Sequence, residues 1–142
     1  VKSNEYDFIV AACPILDTLA SNNDLMEIIK AAELIDKAVR RLAAEVLRLN
    51  GILIISSTHG NAEKIMEIGT GLPNREITNN PVPIIIVAQE FKGKTIGLQD
   101  SPDGDLSLLQ TDGSLIDIAP TILDFLQIED KKLMAGKSLL IN

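Results

Sequence analysis

Short apolar runs alternate with one long amphipathic stretch along this chain. Phe8–Cys13 is a continuous apolar run and predicts a central, buried strand. Pro14–Asn23 reads as a loop, small and polar towards its end. From Asp24, apolar residues recur at steps of three and four: Leu25, Ile28, Ala32, Ile35, Val39, Leu42, Val46 and Leu49. They draw one stripe along a helix of about seven turns. Asp24 suits the N-cap because its carboxylate can accept from the free amides of the first turn. Asn50-Gly51 predicts the helix end, with glycine as the left-handed residue. Glu33–Lys37 and Asp36–Arg40 stand four apart with the acid first, the favourable order for exposed pairs.

After the helix, Ile52–Ile55 predicts a second buried strand, stopping at Ser56-Ser57-Thr58-His59-Gly60. Asn61–Ile68 reads as a short helix and Gly69–Asn80 as a loop. Val82–Val87 reads as a strand introduced by Pro81 and Pro83. Gln89–Ser114 is rich in turn signals, Leu115–Leu126 reads as a final helix, and Met134–Leu140 packs the end. A long crossover helix between strands predicts an α/β fold, with a mainly parallel sheet flanked by helices, over a single domain 1–142. A coiled coil is the weaker reading of the stripe, because strands flank it closely.

Composition narrows the function. The 142 residues are 46% hydrophobic, with no Trp, three Phe and one Tyr, and this aliphatic bias suits a sheet covered on both faces. A net charge of −7 without a basic run argues against nucleic acid. The single cysteine, Cys13, allows no internal disulfide and reads as a packing residue. No apolar run is long enough to span a bilayer, so no membrane contact is expected and the cytoplasm is the default location. The chain opens at Val1 and soon enters a strand, as one part of a larger domain would.

The chemistry gathers at the end of Ile52–Ile55, where the only histidine lies. In open α/β sheets, ligands sit at the carboxyl ends of strands. Taken by themselves, the residues there have plain structural readings. His59 would hydrogen-bond a neighbouring loop, Asp17 would cap a turn, and Glu63 would be a first-turn helix acid. Ser56-Ser57-Thr58 lacks the context of a hydrolase nucleophile.

Thr58-His59-Gly60-Asn61-Ala62-Glu63 resembles the Asp-His-Gly-Asn-Ala-Glu of cofactor-independent phosphoglycerate mutases, of the alkaline-phosphatase-like superfamily. Tyr6-Asp7-Phe8-Ile9-Val10 is similar to a strand of that family. Thr78-Asn79-Asn80-Pro81-Val82-Pro83 resembles its Thr-Thr-Asn-Pro-Val-Pro, and Asp117–Asp124 resembles its closing helix. The resemblance implies the C-terminal part of a phosphatase-like domain. The rest of that domain, with a serine nucleophile, and an inserted phosphotransferase domain would lie upstream.

It also implies an activity, the interconversion of 2- and 3-phosphoglycerate in glycolysis, at two divalent ions, manganese or magnesium. Two ions need hard donors at several strand ends to clamp the attacking and leaving oxygens. Of the family's ligand positions covered by this chain, Asp17 and His59 keep theirs. Ser21, Thr58 and Ile77 stand where the family has His, Asp and His. The resemblance therefore implies a vestigial or partial metal site and a chain not catalytic on its own. One alternative is an active mutase or related phosphotransfer enzyme completed by upstream sequence or a second chain. The other is a protein-interaction module. Each leaves room for self-association or a complementary chain, and for a small phosphorylated ligand.

Overall fold

A computed structural model describes residues 1–3, 5–20, 22, 24–67, 69–74, 76–94, 110–129 and 132–140. The chain forms two compact units, Val1–Lys92 and Gly93–Asn142.

In the first unit the long helix, α2, runs Leu25–Arg48, preceded by a short helix, α1, at Ile15–Ala20. The N-cap is as expected: Asp24 Oδ1 accepts from the Met26 amide at 2.9 Å and the Glu27 amide at 3.1 Å. The far end differs in detail. Asn50, not Gly51, takes the left-handed conformation, at φ 55°. The Asn50 amide then donates to the Leu47 carbonyl at 3.1 Å and the Gly51 amide to Val46 at 2.9 Å. This is a Schellman closure with Asn at the reversing position. Glycine serves the close approach instead, since a Cβ at 51 would stand 3.0 Å from Val46 Cγ1.

The stripe is covered only in part. Ile28, Ala31 and Val46 are buried, and Ile35, Val39 and Leu49 are half-buried. Leu25, Ala32 and Leu42, expected on the same face, are exposed. The short α1 covers one stretch of the helix, with Ala20 only 1% exposed, and cannot reach along its whole length. Pro14–Asn23 was expected as loop; Pro14 instead starts α1, its carbonyl accepting from the Thr18 amide at 3.0 Å and the Thr18 hydroxyl at 3.1 Å. Proline at a helix start is a signal the loop reading passed over.

Two strands follow, β1 at Leu53–Ser56 and β2 at Ile84–Val87. They pair antiparallel, Leu53 opposite Val87 and Ser56 opposite Ile84. Among the described residues this is the whole sheet, and the parallel pairing expected from the crossover helix is not formed there. The physical reason lies in Phe8–Cys13. That run is not a strand here: it has no ladder partner among the described residues, and Phe8, Ile9 and Val10 stand exposed. A strand earns its stability from neighbours on both its edges and faces. Cys13, expected to pack, is exposed as well.

Asn61–Ile68 also departs from expectation. Ile68 lies outside the described residues, and 61–67 form turns and isolated bridges rather than a helix. The buried Asn74 explains this. Its amide donates to the Ile65 carbonyl at 2.9 Å and its Nδ2 to the Lys64 carbonyl at 2.8 Å, taking carbonyls a helix would use.

In the second unit, a 3₁₀ turn at Leu115–Asp117 leads into α3, Ile118–Phe125, as the pattern predicts. Gln127 closes it in the left-handed region, at φ 56°. Thr121, fully buried, accepts from the Leu139 amide at 2.9 Å and donates to the Asp117 carbonyl at 2.6 Å. Asp117 Oδ1 accepts from the Lys137 amide at 2.7 Å. The Met134–Leu140 segment is thereby tied to α3, in keeping with its expected packing. No helix among the described residues is long and apolar enough to cross a membrane.

Candidate functional site

The loop after β1 turns sharply because its side chains bond to its own backbone. The Ser57 hydroxyl donates to the His59 carbonyl at 2.7 Å. His59, half-buried, has Nδ1 3.1 Å from the Gly60 carbonyl. A carbonyl only accepts, so in this contact Nδ1 carries a hydrogen and donates it. Gly60 bridges to Thr78, whose amide donates to the Gly60 carbonyl at 2.8 Å.

Beyond Gly60 a polar network joins three separate segments. The buried Asn61 donates from Nδ2 to Asp17 Oδ1 at 2.5 Å, reaching across to α1. Its backbone amide donates to Glu63 Oε2 at 2.7 Å. Glu63 Oε1 accepts from the Thr78 hydroxyl in a very short bond, and from Asn80 Nδ2 at 3.0 Å. Partial burial pushes the Glu63 carboxyl up, but the bonds from Thr78, its own amide, Asn80 and Asn61 outweigh it. The group is held below its ordinary range. Gly60 makes room for this, because a Cβ there would overlap both the Thr78 hydroxyl and the Glu63 carboxylate.

Of the two positions expected to keep metal-binding side chains, Asp17 bonds to Asn61, two residues along the loop from His59, while the His59 ring bonds to the Gly60 carbonyl. Thr58 lies exposed in the bend before His59, and Ile77 is 62% exposed on the strand-like approach to Thr78. Ser21 lies outside the described residues. Glu63 is not the first-turn helix acid of the plain reading, since no helix forms there. Asn61, Thr78 and Asn80 were missed as site residues; the order Asn-Ala-Glu ahead of Thr-Asn-Asn was the available signal.

Comparison with known proteins places the chain in a family. Residues 1–130 match the model of the Metalloenzyme superfamily. The chain belongs to that superfamily. It is 39% identical over 142 residues to the 2,3-bisphosphoglycerate-independent phosphoglycerate mutase of Pyropia yezoensis, covering 100% of this chain and 25% of that protein. It is 36% identical over 142 residues to the mutase of the same name in Acetivibrio thermocellus, covering 99% and 24%. The corresponding protein of Chloroflexus aurantiacus is 31% identical over 141 residues, again covering 99% and 24%. The chain spans about a quarter of the length of the curated relatives it matches.

Metalloenzyme relatives imply a metal ion, and the donors at this site do not fit a pair of them. Asp17 is bonded through Oδ1 to an amide, and His59 offers one ring nitrogen. Ile77 has no lone pair, and a neutral Thr58 hydroxyl is a poor ligand beside carboxylate or imidazole. Among the described residues, no three of the His, Cys, Asp and Glu side chains gather closely enough to hold an ion.

Proposed function

We propose that this chain is a homologue or fragment of a cofactor-independent phosphoglycerate mutase that does not catalyse on its own. One observation carries the reading. The site retains one carboxylate and one imidazole, Asp17 and His59, where a two-metal phosphoryl-transfer centre needs several hard donors. Both are vestigial or partial ligands in this account, and Ser21, Thr58 and Ile77 occupy positions where ligands have been lost. Among the described residues, the side chains at the site shape and join the loops, and no cluster of His, Cys, Asp and Glu gathers there that could hold ions to stabilise a moving phosphoryl group. The test is a coupled assay converting 3-phosphoglycerate through enolase, with manganese supplied. No turnover above the protein-free rate is expected, and manganese-dependent turnover lost in His59→Ala overturns the reading.

The share of the relatives that is matched favours one second reading. With about a quarter of their length in hand, the missing donors and nucleophile would come from further sequence or a second chain. Phe8–Cys13 would then find its neighbours and become a strand of a mainly parallel sheet. Its exposed Phe8, Ile9 and Val10 support the same idea, as apolar β-formers with no strand partner among the described residues. Under either reading the protein is placed in the cytoplasm, self-associating or paired with a complementary chain. Sedimentation of a single monomeric species at high concentration would count against the association.

A further inference from the structure

Glu63 stands where the segments of the site converge, and Asn61, Thr78 and Asn80 all present hydrogens to it. Oε2 takes the Asn61 backbone N–H, and Oε1 takes the Thr78 hydroxyl and Asn80 Nδ2. An ionised carboxylate offers acceptors on both arms and carries no hydrogen that would need an acceptor of its own. A glutamine has one carbonyl and one amino group, so at least one of those donors would face another donor. We infer that Glu63 is a positioning residue, which holds Asp17 against the His59 loop through Asn61. Through Thr78 and Asn80 it holds that same loop against the approach to β2, so hydrogen bonds alone join the three segments without a metal ion. Gly60 belongs to the device, because any side chain there would displace the carboxylate from the Thr78 hydroxyl. The inference does not depend on whether the chain catalyses.

Nuclear magnetic resonance on the intact chain, in excess EDTA, tests it with two readouts. One is exchange of the Thr78 amide, which is bonded to Gly60. The other is the cross-peak between the Asn61 side-chain amide and Asp17. Both are expected to be present in the wild type despite the chelator; their loss with EDTA overturns the metal-free joining. In Glu63→Gln, Thr78 exchange should quicken about 10- to 100-fold and the Asn61–Asp17 cross-peak should vanish, while mid-α2 amides keep their rates. Asn61→Ala should remove only the Asp17 arm and leave Thr78 protected. That asymmetry is what a merely destabilising substitution would not give. A Glu63→Gln protein with both signals intact overturns the assignment. Should Glu63→Gln fail to fold, Thr78→Val removes one donor at constant shape: faster Thr78 exchange with the Asp17 cross-peak preserved supports the inference, and unchanged exchange refutes it.

Discussion

Gly60→Ala is the substitution whose cost the structure fixes most closely. A Cβ at this position would overlap two atoms, Thr78 Oγ1 and Glu63 Oε1, both at the ends of side chains. The overlap is therefore relieved by movement, and the cost is the bonds that the movement breaks. Those are the Thr78 and Asn80 bonds to Glu63, each to a charged acceptor. Such bonds are worth about 1.5–3 kcal/mol apiece, less than additive when they share one oxygen. Against this, alanine lowers the entropy of the unfolded chain, offsetting about 0.4–1 kcal/mol. The net expectation is a loss of about 1.5–3 kcal/mol, read as a lower urea midpoint at unchanged slope. In a Glu63→Ala background one overlapping atom and both bonds are already gone, so Gly60→Ala should then cost under about 0.5 kcal/mol. Equal costs in the two backgrounds would refute the reasoning, because they would trace the effect to the backbone rather than to the carboxylate.

Other consequences are simpler. Asp24→Ala removes the acceptor for the Met26 and Glu27 amides and should cost about 1 kcal/mol, with faster exchange confined to the first turn of α2. Thr121→Val keeps shape but leaves the Leu139 amide without its acceptor. It should cost about 1–3 kcal/mol and release the Lys137–Leu140 amides to exchange. Glu63 and Asp117 are both held below their ordinary values, Asp117 chiefly by the Lys137 and Ser114 amides. A carboxyl lowered on folding stabilises above its unfolded pKa and loses that contribution as pH falls through the folded one. Stability should thus hold near neutrality and decline below about pH 4.5, where free carboxyls begin to protonate. Glu63→Ala should flatten part of that decline in urea midpoints taken from pH 7 to 3, and an unaltered profile would contradict the bonding described.

How much of this was legible beforehand depended on whether the determinants were local. The α2 N-cap, the β1 and β2 runs and the α3 helix are written in neighbouring residues, and each formed close to its expected place. Phe8–Cys13 was equally apolar, yet a strand is defined by its partners, and none pairs with it among the described residues. Asn61–67 failed as a helix for the same reason. The competing acceptor and donor sets sit at Asn74, Thr78 and Asn80, too distant in sequence for periodicity to register. At the site, His59 and Asp17 were found by resemblance. The bond that joins Asp17 to the His59 loop runs through Asn61, whose role is visible only once α1 and the loop are folded together.

Calorimetric titration of the chain with manganese tests the central claim most directly, with His59→Ala as the control. One carboxylate and one imidazole predict no heat beyond dilution in either protein. Saturable binding by the wild type, abolished by His59→Ala, would contradict the account and restore a working metal centre.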